Sequence, residues 1–201
     1  AMLDMQLNMK EHVNYIARSG YMYLRMLSQI RPNLTQECAA NLVHAFISSK
    51  LDCMNSLLAG IPDCVIRKLQ LIQNNAARIV LKKRKFDHVS PLLQQLHWLP
   101  VKARIKFKVC LLTHKALHGK APPYIASLLQ RYEPARSLRS ARRNLLQEKV
   151  PNLKTVGGRA FHICAPKLWN SLPDDLRACD SLEQFKTGLK TYLFRDAFDC
   201  A

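Results

Sequence analysis

The chain has 201 residues, 48% of them apolar, long enough to bury a sizeable core and too apolar for a wholly disordered protein. Lysine and arginine number 31 against 14 acids, giving a formal net charge of +17. That excess favours polyanionic partners, nucleic acid first and an acidic membrane surface second, and says nothing about fold. Seven cysteines without a CxxC pair argue against a disulfide framework and for reduced thiols. No apolar run approaches the roughly 18–20 residues of a membrane span, and AMLDMQLNMKEH lacks a signal-peptide pattern. The expectation is a soluble protein of nucleus or cytoplasm, with no membrane partner.

Residues 1–130 read as helical. Asn8 suits a helix cap with Glu11 three residues on, and Val13, Ile16, Tyr23 or Leu24, and Leu27 recur at helical spacing until Arg31-Pro32. Thr35 suits the next cap, ahead of Ala39, Leu42, Val43, Phe46, Ile47 and Leu51. Asp63 suits a third, with Val65, Leu69, Ile72, Ala76, Ile79 and Val80 on one face that ends at a basic run. SPLLQQL predicts a short helix and LHWLP a tight turn. Residues 101–109 then alternate apolar and basic, a strand's period. Yet Pro100 suits a helix start, Gly119 its C-cap, and Val101, Ile105, Val109, Leu112 and Ala116 a helical stripe. Length and punctuation favour the helix, with its bases split onto two flanks.

Pro122-Pro123 opens a short helix to Leu129. Residues 131–160 carry eight basic residues and two acids with weak periodicity. They read as a connector with a possible hairpin around Leu145 to Val156. RAFHICAPKLWNSLP begins helical and is broken by Pro166 and Pro173. Ser181 and Gln184 form a capping box for the last helix, whose face is Leu182, Phe185, Leu189, Tyr192 and Leu193. The fold class is mostly α: a helical bundle over 1–130, a basic connector over 131–160 and a small helical segment over 161–201.

Few residues carry candidate chemistry. Asp174-Asp175 is the only adjacent acid pair. Paired aspartates can hold two metals for phosphoryl transfer, but two acids after Pro173 are ordinary compensation of a helix dipole. Cys110, His114 and His118 share a helix face, yet positions i and i+8 lie about 12 Å apart, too far for one metal. No nucleotide-loop or nucleophile-elbow motif occurs. No catalytic residue, metal or cofactor is expected.

The basic clusters remain. Lys82, Lys83, Arg84 and Lys85 stand in a row, and a helix C-terminus stabilises only the one or two cations within its last turn. Lys102, Arg104, Lys106 and Lys108 follow, then Arg136, Arg139, Arg142 and Arg143. These twelve are the candidate nucleic-acid contacts. The alternatives for the run at 82–85 are a nuclear import signal or a solvated face. Trp98 and Trp169, each among leucines at a proline turn, are expected as core anchors rather than as stacking platforms for bases.

From HAFISSKLDCMNSLLAGIPDCVIRKL through LHWLPV, THKALHG and APKLWNSLP, nearly the whole chain resembles the region after the polymerase core of LINE-type (non-LTR) retrotransposon reverse transcriptases, of the jockey-like and chicken-repeat-like group. Cys53-Met54 stands where that family commonly has Tyr-Cys, Gly158 where it has an acid, and His162-Ile163-Cys164 where it has small residues. The resemblance implies a thumb-and-tail piece of a multidomain parent, whose metal-binding aspartates lie upstream and are absent here. It implies a non-enzymatic module that binds RNA or DNA with weak sequence preference beside the upstream reverse transcriptase domains. The competing expectations are a module that binds acidic protein surfaces and a translated remnant without selected function.

Overall fold

In the computed structural model, residues 8–133, 144–151 and 157–198 are described. Helix α1 (Lys10–Ile30) starts where Asn8 Oδ1 accepts the Lys10 N–H at 2.9 Å, with left-handed Met9 between them. It buries Val13, Ile16, Gly20, Leu24 and Leu27, and a 3₁₀ turn through Arg31-Pro32 ends it. Thr35 caps α2 (Gln36–Val43) by accepting the Cys38 N–H at 3.2 Å, as its sequence position predicts.

The chain continues without a break through a π turn (His44–Ser48) into α3 (Ser49–Asp52). Ala39, Val43, Ile47 and Leu51 are all buried. A strict spacing of four drifts about 40° per step on an α-helix, and the wider π turn takes up that drift. The expected stripe is corrected at Phe46, which stays exposed and stacks on Tyr23 at 5.2 Å.

Helix α4 (Asp63–Val80) runs parallel to α1. Lys68 Nζ reaches Asn14 Oδ1 at 2.8 Å, and Gly20 lies so close to Ile72 that a Cβ there would sit 3.0 Å from its Cγ2. Arg31 meets α4's far end, so the pairs step along both helices in one direction. Asp63 is not the cap. Pro62 holds that position and Asp63 begins the helix, where its charge complements the dipole.

After α5 (Ser90–Gln95) comes α6 (Val101–Leu117), a helix rather than a strand. Its alternation has a packing cause. Val101, Ile105 and Val109 enter one apolar cluster with α1 and α4, while Ala103 and Cys110 enter a second with Trp169, Phe185, Leu189 and Leu193. A helix buried on two sides loses the single stripe of an amphipathic one. Gly119 closes it in the left-handed region, with the Lys120 N–H on Lys115 O at 2.8 Å.

Short α7 (Pro123–Ala126) precedes Arg131, which forms an antiparallel bridge with Leu146. That bridge replaces the expected hairpin in the described half of 145–156; residues 152–156 lie outside the described ones. Helix α8 (Phe161–Asn170) passes through Pro166 without breaking. The ring forgoes one backbone bond, and Pro166 is itself buried, so packing offsets a cost of about 3 kcal/mol. Trp169 Nε1 donates to Asn144 O at 2.8 Å, and Asn170 exchanges hydrogen bonds with both backbone groups of Leu146 at 2.9 Å.

Helix α9 (Asp174–Arg177) leads to α10 (Leu182–Phe198), which lies antiparallel on α6 and buries Phe185, Leu189 and Leu193. Gln184 Oε1 takes the Cys179 thiol at 3.7 Å. Among the described residues there is no strand, and no helix is long and apolar enough to cross a membrane.

Candidate nucleic-acid interface

The run at 82–85 begins one residue beyond the end of α4, and the backbone there is closed without help from its side chains. The Lys83 N–H bonds Arg78 O at 2.9 Å and the Lys82 N–H bonds Ile79 O at 3.2 Å, the paired closure of a Schellman motif. Lys82 holds the left-handed position with φ 51°, where glycine is usual. Buried Arg31 takes the remaining carbonyls. Its Nε donates to Ile79 O at 2.8 Å, Nη2 to Val80 O at 2.7 Å and Nη1 to Leu34 O at 2.6 Å. Arg31 therefore supplies the cation that the helix dipole favours.

The loop beyond is held at both ends. Asp87 Oδ2 accepts the Arg84 N–H at 2.8 Å, and Arg78 donates to Asp87 O at 3.1 and 3.3 Å. Lys82, Lys83, Arg84 and Lys85 are all exposed, and none pairs with a carboxylate among the described residues. Between Lys85 and Asp87, Phe86 is 89% exposed, with Lys85 Nζ 5.7 Å from its ring centroid. The result is an anchored tip of four cations and one bare aromatic ring.

The four bases of α6 fare differently. Lys102 pairs with Asp63 at 3.1 Å, Arg104 grips both oxygens of Asp52, and Lys106 pairs with Asp196 at 3.2 Å. Lys108 is exposed and lines a cavity together with Arg104. The pairs at Lys102 and Lys106 are open to water and contribute little to stability, so an incoming phosphate can compete for these cations. Arg136, Arg139, Arg142 and Arg143 lie outside the described residues.

Trp98 and Trp169 are 6% and 0% exposed, in the core as expected. The turn that carries Trp98 docks on α4 through Gln73 Nε2, which donates to Leu99 O, and Gln70 Oε1, which accepts the Val101 N–H, both at 2.8 Å. His114 Nε2 bonds Cys179 O at 2.8 Å, and the ring stacks on Phe185 at 4.2 Å. Burial holds His114 below the ordinary histidine range, partly opposed by that bond, and pushes the Cys110 thiol up to about 12. Both side chains are uncharged at neutral pH. His118 Nδ1 bonds His114 O at 2.8 Å. No group of three metal-ligating side chains converges among the described residues. Asp174 pairs with Arg177, in keeping with a helix-start role.

Sequence reasoning missed Phe86, Arg31 and Arg78. Phe86 carried a visible signal, an aromatic residue inside a basic run. The two arginines did not, because their carbonyl partners are set only by tertiary packing. No protein-family model, curated protein or solved structure matches the chain.

Proposed function

We propose that this chain is a non-catalytic nucleic-acid-binding module that grips RNA or DNA with weak sequence preference through the tip after α4. The observation that carries the reading is the tip itself: four exposed cations without a carboxylate partner among the described residues, around an exposed Phe86, on a loop whose backbone is fixed independently of those side chains. Cations without carboxylate partners are available to phosphates, and an exposed ring is available to a base. The resemblance to the post-polymerase region of non-LTR reverse transcriptases supports the same reading. In such a parent the module would hold template RNA or target DNA beside the polymerase, in nucleus or cytoplasm. Lys102, Lys106 and Lys108 widen the footprint along α6.

The test is fluorescence anisotropy with structured RNA, single-stranded DNA and duplex DNA at several salt concentrations. Replacing Lys82, Lys83, Arg84 and Lys85 by glutamine lowers the slope of log K against log salt by about 3 to 4, at roughly 0.7–0.9 per lost phosphate contact. The melting temperature stays close to that of the unaltered chain. An unchanged affinity and slope refute the tip as the contact. Primer extension on an RNA template with magnesium yields no product above a buffer control.

A further inference from the structure

A second cationic feature lies apart from the tip. A half-open cavity of about 370 Å³ is bounded by the π turn, α3, the 3₁₀ turn Asn55–Leu58, the turn at 96–99, α6 and α10. Arg104 and Lys108, one helical turn apart on α6, meet Lys190 of α10 there. Asp52 is the only carboxylate in the lining, and it is held by Arg104. Lys108 and Lys190 have no carboxylate partner among the described residues, which leaves the cavity two positive charges in excess.

Its other walls are planar rings and the side chains of Leu96, Leu99 and Leu111. Trp98, Phe107, His97 and His44 all line it, with His44 edge-on to Trp98 at 5.2 Å. Burial first, then Arg104, holds His44 below the ordinary histidine range, so its ring adds no charge at neutral pH. Asn55 is 3% exposed. Its amide nitrogen donates to Asp52 at 3.2 Å, so Asn55 helps Arg104 hold that carboxylate.

We propose that this cavity binds a nucleotide, with the phosphate between Lys108 and Lys190 and the base among the rings. A bare phosphate would not use the rings, and a purely aromatic molecule would use neither lysine. A volume of this size suits a small ligand. The nucleotide can be free or a unit of a bound strand, since both present the same groups.

Calorimetric titration of the full chain tests the proposal with three probes: adenosine monophosphate, adenosine and inorganic phosphate. The monophosphate binds at least tenfold tighter than either part alone. The double variant Lys108→Gln/Lys190→Gln weakens the monophosphate at least tenfold, while its melting temperature and its weak affinity for adenosine stay put. The quadruple glutamine variant of the tip keeps monophosphate binding. Competition by a 5′-phosphorylated single-stranded oligonucleotide identifies a strand as the source, and its failure identifies the free nucleotide. No binding at millimolar monophosphate, equal binding of phosphate alone, an unaffected double variant, or loss of binding in the tip variant overturns the proposal.

Discussion

Phe86→Ala separates stacking from charge at the tip. The ring is 89% exposed, so its removal uncovers almost no buried surface, and thermal stability changes by no more than about 1 kcal/mol. The Lys85 ammonium lies 5.7 Å from the ring centroid, an exposed cation–π pair that contributes about 0.5–1 kcal/mol at most. A base stacked on an aromatic side chain contributes about 1–3 kcal/mol, which is roughly 5- to 150-fold in Kd. Phe86→Ala therefore weakens single-stranded DNA by that factor. Duplex DNA, whose bases are already stacked, is unaffected. No charge is removed, so the salt slope stays the same, in contrast to the quadruple glutamine variant. Anisotropy titrations of both substrates at two salt concentrations read all of this. An equal loss on single strand and duplex, or no loss on either, refutes stacking and leaves Phe86 as a bare loop residue.

Lys82→Gly relieves a left-handed conformation that costs a non-glycine residue about 1–2 kcal/mol, against about 0.5–1 kcal/mol of extra chain entropy. The variant melts higher, by about 0.5–1 kcal/mol in stability, while its salt slope falls by about 0.7–0.9. Trp98→Ala costs about 3–5 kcal/mol by chemical denaturation, and Trp169→Ala costs more, because it also orphans the Asn144 carbonyl. Burial holds the folded pKa values of His12, His44 and His114 below the ordinary range. The unfolded chain takes up protons as pH falls through about 6.5, and the folded chain resists. The stability these groups contribute is thus complete above that pH and is lost as pH falls through their folded values. Melting at pH 7.5 and 5.5 shows a lower transition at 5.5, and equal transitions contradict it.

The helical class and most element positions were legible because caps and stripes act locally. Thr35, Gly119 and the Leu69–Ile72–Ala76 face each follow from nearest neighbours and helical geometry. The misses were tertiary. Phe46 left its stripe because a π turn absorbs the drift of the 39–43–47–51 spacing. Pro166 failed to break α8 because it packs into the core. Helix α6 was read correctly from its length and punctuation, but the cause of its alternation, a helix wedged between two apolar clusters, was not. Of the interface, the four tip cations were visible as a run, but their freedom from acids was not. The cations of α6 belong to the same composition, yet three of them face Asp63, Asp52 and Asp196 from remote parts of the chain. The cluster of Arg104, Lys108 and Lys190 was invisible, because α10 (Leu182–Phe198) meets α6 (Val101–Leu117) only after a long excursion through the rest of the chain.

Charge on this chain is sorted by what the backbone has already satisfied. Four adjacent cations at the end of α4 would be explained away if the helix needed them. It does not, because Arg31 and the Lys82–Lys83 amides occupy the carbonyls of Arg78, Ile79 and Val80. Asp87 offsets part of the run's charge, but its Oδ2 accepts the Arg84 backbone N–H and its carbonyl accepts from Arg78, and it pairs with none of the four cationic side chains. The side chains of Lys82, Lys83, Arg84 and Lys85 thus repel one another with no carboxylate partner among the described residues, and draw counterions from solution. Each phosphate that replaces those counterions releases them, and that release drives binding most strongly at low salt. The tip's geometry thus converts a locally unfavourable charge density into a favourable term for a polyanion, while the fold depends on Arg31 rather than on the four exposed cations.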